Sequence, residues 1–365
     1  RKTPPPPLAK ALERVRTEAN VMPKWQLDEV MSSSFGSNWK QQFKEFDEDP
    51  VAGASIGQVH QATTLDGVQV AVKVQYPGVA RGIDADMANL QRLMLLGGFV
   101  PKGLFLDNVL ATAKEELTLE CDYLREAKNQ ERFREFLLGY NVPLQTTSKP
   151  KGYFVPAVIR DLTTSTVLTS QWIHGEPVDR LVEEGVPQEV RDSVAERMLR
   201  LVIKEVFQLR LVQSDPNWSN FLYDSNTDTL NLIDFGATNE YPVEFVSNYL
   251  KLVWACANKD RHEILKMSRE IGFLCGRESP AMVKAHIEAA YIMGEPFAAG
   301  VQPFEFAKFN HGERMAEQGS VFLKERLVPP PKEVYTLHRK LFGAISTCIK
   351  LKAKIDCRKE LEAVS

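Results

Sequence analysis

The sequence predicts an α+β chain in two lobes: a small β-rich lobe carrying extra helices, then a mainly α-helical one. Three observations predict it. Val51 to Val74 holds two β-rich runs around Leu65-Asp66-Gly67, the pattern of a hairpin closed by an Asp-Gly turn. Phe245 to about Ile355 reads as helical, with breaks at 272–276, 294–296 and 329–331. Between them, 213–236 holds two acidic loops separated by a small hairpin, with Asp215 and Asn220 on the first and Asp234 on the second. These divide the chain into a helical N-terminal extension (1–45), a β-rich lobe (46–174) and an α-rich lobe with C-terminal helices (175–365).

Composition bounds the function. The 365 residues are 44% apolar and 25% charged, with a net charge of −3, an ordinary globular balance, long enough for one bilobal unit or two modest domains. That charge argues against a nucleic-acid partner, which calls for a basic face. No apolar run approaches the roughly 18–20 residues that span a bilayer; the longest, Leu93 to Val100, includes Gly97 and Gly98 and lies between Arg92 and Lys102. Cys121, Cys256, Cys275, Cys348 and Cys357 lack CxxC spacing, so no zinc site or disulfide framework is expected, and a reducing compartment is. The chain opens on Arg1 with no signal-peptide pattern.

Taken in order, Pro4 to Pro7 form a polyproline spacer, and a helix is expected from Leu8, with Leu12 and Val15 on the same face. A second helix near 26–31 runs into Ser32–Ser34. The run Ala52-Gly53-Ala54-Ser55-Ile56-Gly57 fits the phosphate-loop template G-x-G-x-x-G with alanine at its first two glycine positions. Glycine there lets backbone N–H groups close on phosphates, so alanine limits how the loop folds over a nucleotide. Lys73 stands inside Val70-Ala-Val-Lys-Val74, where burial is costly unless the ammonium meets an anion. In the Val-Ala-Ile-Lys pattern that anion is a nucleotide phosphate, and a helix glutamate pairs with the lysine. A helix over 83–96 and a long one over 106–138 follow. The long helix carries Glu115, Glu116, Glu120, Asp122 and Glu126. Most of these belong to a solvated face; one reaches Lys73, and Glu120 and Glu126 are both candidates.

Residues 153–159 and 166–173 read as two more strands, completing a five-stranded sheet. Trp172 falls in the connection between lobes, where an adenine ring meets backbone, and His174 beside it is a structural residue. Gly175 and Pro177 mark the crossing, and a helix over 187–209 leads into the Asp215 loop. After Gly236 the chain passes through Ala-Thr-Asn-Glu-Tyr-Pro242 into a helix, with no long activation segment and no Ala-Pro-Glu. Phosphoryl transfer needs the residue types these loops hold: an Asp to orient the acceptor, and an Asn and an Asp to hold Mg²⁺ on the phosphates. The predicted architecture is therefore a bilobal, protein-kinase-like fold.

Five motifs make the resemblance specific: 54–60 (Ala-Ser-Ile-Gly-Gln-Val-His), 70–78 (Val-Ala-Val-Lys-Val-Gln-Tyr-Pro-Gly), 120–127 (Glu-Cys-Asp-Tyr-Leu-Arg-Glu-Ala), 215–220 (Asp-Pro-Asn-Trp-Ser-Asn) and 234–237 (Asp-Phe-Gly-Ala). Together the chain resembles the UbiB family of atypical kinases, above all its mitochondrial ADCK-type members that support ubiquinone (coenzyme Q) biosynthesis; the tail 326–340 is similar too. The resemblance covers almost the whole chain. It implies that Lys73 contacts ATP phosphates and pairs with Glu126, that Asp215 is at the catalytic-base position, and that Asn220 and Asp234 hold Mg²⁺. Ala52, Gly53, Ala54 and Ser55 would form the family's alanine-rich nucleotide loop, and Glu120 with Asp122 its E-x-D motif. The family's K-x-G-Q element, placed before Leu8, is not found in this chain. The implied activity is ATP hydrolysis at the matrix face of the mitochondrial inner membrane, with membrane lipids and ubiquinone-biosynthesis proteins as partners. Two rivals stand beside it: a phosphotransferase acting on a lipid precursor or protein, and a nucleotide-binding pseudokinase scaffold.

Overall fold

In the computed structural model, which describes residues 21–96, 101–139, 152–183, 185–215 and 217–365, the chain enters through α1 (Lys24–Phe35). The expected helix from Leu8 lies outside the described residues. Leu27, Val30 and Met31 of α1 are buried and share a core with Trp39, Val70, Val72 and Val74, so this helix packs on the first sheet.

That sheet is built from β1 (Phe43–Phe46), β2 (Ala52–Ala54), β3 (Gly57–Thr64) and β4 (Gln69–Gln75). The chain then runs through the helices α2 (Val79–Leu96), α3 (Leu106–Glu120) and α4 (Tyr123–Leu138). The strands β5 (Gly152–Phe154) and β6 (Val167–Gln171) follow. The sheet order is β1-β3-β4-β6, with β2 paired to β3. Gly67 supplies the left-handed turn residue (φ +87°) between β3 and β4. Because strand side chains alternate, Val70, Val72 and Val74 fill the core while Lys73 points to the opposite face.

Two expectations are corrected. The sheet is five-stranded, but residues 153–159 are not its fifth strand; β1 and β2 supply the edge instead. Pro156 has no N–H and ends the strand. Beyond it only Val158 bridges to Ser170, while β5 joins a second sheet. The long helix over 106–138 is in fact two. Asp122 stops it by capping α4, its carboxylate accepting the Arg125 N–H at 3.0 Å.

The second lobe opens with β7 (Glu176–Pro177) and α5 (Gln188–Lys204), which runs into a π turn at Glu205–Leu209. Arg210 then takes a left-handed conformation (φ 55°) that redirects the chain into β8 (Leu211–Gln213). Next come β9 (Phe221–Asp224), β10 (Thr229–Leu232) and β11 (Thr238–Glu240). Among the described residues β5-β10-β9-β7 form one sheet, with β5 parallel to β10, and β8 pairs with β11. The helices α6 (Val243–Ala257), α7 (Arg261–Ile271), α8 (Pro280–Gly294), α9 (His311–Glu325), α10 (Lys332–Lys350) and α11 (Cys357–Glu362) complete the lobe. Three of their breaks fall where the glycines and prolines predict, but the break at 258–260 holds neither: Asp260 separates α6 from α7 by capping the latter, its carboxylate accepting the Glu263 N–H at 3.0 Å. Ser279 caps α8, with Pro280 in its first turn.

Candidate nucleotide site

Lys73 on β4 and Glu126 in the first turn of α4 meet face on. The ammonium Nζ donates to both Glu126 oxygens, at 2.9 and 3.0 Å, and to Asp234 Oδ2 at 3.4 Å. It also lies over the Tyr123 ring, 5.1 Å from its centroid. Lys73 is 14% exposed and Glu126 1%. Burial works to lower the lysine pKa, but Asp234 and Glu126 together outweigh it and hold the group well above its ordinary value. Burial pushes the Glu126 carboxyl up to about 7, Lys73 drawing it back and Asp234 adding to the rise.

The cap at Asp122 explains why Glu126 makes this contact. By restarting the helix it aims consecutive residues inward: Glu126 at Lys73, and Arg125 at the Gly236 carbonyl (3.1 Å) and the Thr238 carbonyl. Asp122 therefore serves as a helix cap in this structure. Glu120, the last residue of α3, accepts from Ser55 Oγ at 3.3 Å and so ties α3 to the alanine-rich loop. Its carboxyl is raised by burial, then by the nearby Asp234.

The acidic loops are held by the β9–β10 hairpin, whose register pairs Phe221 with Leu232. Asn220 precedes the first strand and Ile233 follows the second, and the Ile233 N–H donates to the Asn220 carbonyl at 3.2 Å. Asp215 accepts from Asn220 Nδ2 at 2.8 Å and from the Asn217 N–H at 3.1 Å. Asp234 Oδ1 accepts the Gly236 N–H at 3.0 Å. Since the Asn220 amide nitrogen is spent on Asp215, its carbonyl oxygen is the atom left for a cation. That oxygen and the Asp234 carboxylate are hard donors of the kind Mg²⁺ takes when phosphates supply the rest of its shell. No set of three or more His, Cys, Asp or Glu among the described residues could hold a metal alone, so phosphate oxygens would have to share the work.

The alanine-rich loop at 52–57 is a tight hairpin. Ala52, Gly53 and Ala54 are the whole of β2, paired with Val59, Gln58 and Gly57. Ile56 is buried beside Tyr123 and Ala127. Gly57 is demanded by packing: a Cβ there would press on the Val74 carbonyl and stand 3.0 Å from the Tyr123 hydroxyl. At Gly53 a Cβ would meet nothing within 4 Å. Gly57→Ala is accordingly expected to destabilise the chain by about 1–3 kcal/mol, and Gly53→Ala to stay within about 0.5 kcal/mol of the parent. Urea denaturation of both variants checks this, and equal midpoints would contradict it. Trp172 sits at the lobe connection, but its backbone N–H donates to the Gln69 carbonyl at 2.9 Å, so that donor serves the sheet. His174 is exposed, with its ring 6.5 Å from that of Trp172.

One participant has no local sequence signal. Arg339 on α10 forks onto Glu116 of α3 at 3.0 and 2.7 Å, and donates to the Ser214 carbonyl at 3.1 Å and Ser214 Oγ at 2.9 Å. Ser214 adjoins Asp215, so a C-terminal helix braces the Asp215 loop against the helix that leads to Glu120.

A β-rich lobe bearing a Lys–Glu pair, facing Asp234 and the neighbouring Asp215 and Asn220 of a helical lobe, defines a kinase-like protein. A family model described as the ABC1 atypical kinase-like domain matches residues 14–268. The chain belongs to the ABC1 family of atypical kinases, in agreement with the resemblance its motifs carry. It is 44% identical over 359 residues to "Atypical kinase coq-8, mitochondrial" of Caenorhabditis elegans, covering 97% of this chain and 46% of that one. It is 41% identical over 353 residues to "Atypical kinase COQ8B, mitochondrial" of Rattus norvegicus, covering 97% and 64%. To "Atypical kinase COQ8, mitochondrial" of Saccharomyces cerevisiae it is 38% identical over 356 residues, covering 97% and 69%. The chain thus spans about half to two-thirds of the length of these relatives. A solved structure, the Rv3197–erythromycin complex from Mycobacterium tuberculosis, shares the fold with a TM-score of 0.68 at 24% identity, over 98% of this chain and 86% of that one. Among the described residues, no helix is long and apolar enough to cross a membrane.

Proposed function

We infer that the chain binds Mg²⁺-ATP at this site, hydrolyses it, and by that activity supports ubiquinone biosynthesis at the matrix face of the mitochondrial inner membrane. The observation that carries the reading is Lys73 held between Glu126 and Asp234, beside the hydrogen-bonded pair Asp215 and Asn220. A half-enclosed cation between two carboxylates is an arrangement that a polyanion and its metal complete. Asp234 and Asn220 would hold Mg²⁺, which supplies charge neutralisation at the phosphates. Lys73 adds a fixed positive charge there, and Asp215, oriented by Asn220 Nδ2 and the Asn217 N–H, positions the attacking group. Only β11 and a short turn separate Gly236 from α6, which leaves no platform for a peptide; water or a small lipid head group is the acceptor that fits. The mitochondrial and ubiquinone assignments rest on the family resemblance and on relatives called mitochondrial, and so do inner-membrane lipids and ubiquinone-biosynthesis proteins as partners.

The test is phosphate release from Mg²⁺-ATP by the purified chain, alone and with liposomes plus a quinone-precursor-like phenol. Asp234→Asn is expected to lower turnover by roughly a hundredfold or more, since it removes fixed charge aimed at the phosphates. Tight nucleotide binding without turnover would replace this reading with a nucleotide-binding scaffold.

A further inference from the structure

The helical lobe contains a second place for a ligand, away from the Asp-Phe-Gly loop. A cavity of about 490 Å³ lies among α5, α6, α8, α9 and α10, and its wall is almost wholly carbon, with Val202, Leu252, Phe273, Met293, Phe322 and Leu341 typical of it. That volume falls in the range of small-molecule sites, which are apolar bodies with a few polar groups placed for orientation. Two features separate it from a packing gap. The first is α9, which turns Gly312, Ala316 and Gly319 toward the space. A Cβ at Gly312 or Gly319 would meet nothing within 4 Å, so the helix holds the cavity open with residues too small to fill it. Gly312 and Ala316 are exposed, which puts the mouth of the cavity along this helix.

The second feature is the set of polar groups in the wall. Arg326, which caps the end of α9, also lines the cavity. Its Nε is buried without a hydrogen-bond partner, and its guanidinium lies on the Phe322 ring at 5.0 Å. His338 is packed against the rings of Phe273 and Tyr249, and His286 Nε2 shares a hydrogen bond with Ser268 Oγ at 2.8 Å. Burial, with the neighbouring Arg326, holds both imidazoles at about 4, so they stay neutral. No carboxylate is among the lining residues. One lasting positive charge in an apolar wall, with no counter-ion among the described residues, calls for an anionic oxygen joined to an apolar chain.

We propose that this cavity is a binding site for a single-chain anionic amphiphile, the hydrocarbon lying along α9 and the acidic head group meeting Arg326. The probe is oleate, below its micelle concentration, measured with the purified chain by equilibrium dialysis without nucleotide or Mg²⁺. Oleyl alcohol is the uncharged comparison. Because nothing in this assay depends on ATP, its failure is distinct from failure of the nucleotide reading. Saturable uptake of one oleate per chain is expected. Gly319→Leu should abolish it by filling the cavity, while thermal unfolding of that variant shows no loss of stability. Arg326→Met should weaken oleate roughly tenfold or more and leave oleyl alcohol unchanged, as for loss of a charge-assisted hydrogen bond. The proposal is overturned if no saturable uptake occurs, as for a cavity already taken by a protein segment. It is equally overturned if oleate binds and neither substitution alters its affinity.

Discussion

Replacing Lys73 with alanine is expected to weaken Mg²⁺-ATP binding by roughly a hundredfold and to make the chain's stability fall further as pH rises. The ammonium is the cation facing both Glu126 and Asp234, so its loss leaves two carboxylates at the place the proposed nucleotide's phosphates would occupy. The pH effect follows from Glu126. Its ordinary value is 4.5 and burial in the fold, offset by Lys73, pushes it up to about 7. Between those values the folded chain holds a proton that the unfolded chain has released, so this group's contribution to stability falls as pH rises through that window. Lys73 is raised above its ordinary 10.5, so its own contribution is fully present below that value and flat across the same window. Removing it deletes the strongest influence drawing Glu126 down, and the fall should continue past neutrality. Urea titrations of both proteins in EDTA, at about pH 6 and about pH 8, read this directly. A deficit that is the same at both values would show that Lys73 does not set the ionisation of Glu126.

The site was legible to different depths for physical reasons. Lys73, Asp215, Asn220 and Asp234 each sit in a short stretch where the residue is improbable without its chemistry: a lysine in an apolar strand, or acidic loops flanking a hairpin. The choice between Glu120 and Glu126 was not legible from helix periodicity, because Asp122 breaks the helix and no register carries across such a break. The strand at 152–154 was visible as a strand, but its partner was not. Pairing is a contact between distant segments, and it lies with β10 at 229–231. Arg339 was invisible for the same reason. It stands 125 residues from Ser214 and 223 from Glu116, and an arginine on a charged helix carries no sign of such partners. The same holds for the cavity, since glycines spaced along α9 read as weak helix until their open side is seen.

The residue beside Arg339 carries the larger structural burden. Lys340 Nζ lies 3.3 Å from the Glu205 carboxylate and 3.2 Å from Gln213 Oε1, over the Phe221 ring at 5.4 Å. The pair is 4% and 1% exposed. Glu205 belongs to the π turn, and its other contact is the Gln213 N–H at 3.1 Å. It thus fixes β8 immediately before the Asp215 loop. Burial raises the Glu205 carboxyl, and Lys340 works against that rise. Lys340→Met should therefore cost about 3–5 kcal/mol, as breaking one side of a buried pair does. The raised carboxyl in the variant makes the cost larger as pH rises and smaller as it falls, because the protonated acid needs no counter-ion. Pairing it with Glu205→Gln, which keeps an acceptor for the Gln213 N–H and removes the stranded charge, should recover most of the loss. Denaturation midpoints of the single and double variants decide the matter. If Lys340→Met lies within about 1 kcal/mol of the parent, well below the cost of an uncompensated buried charge, the pair is not what holds β8. The adjacent Arg339 contact with Ser214 would then be left as the tie between α10 and the Asp215 loop.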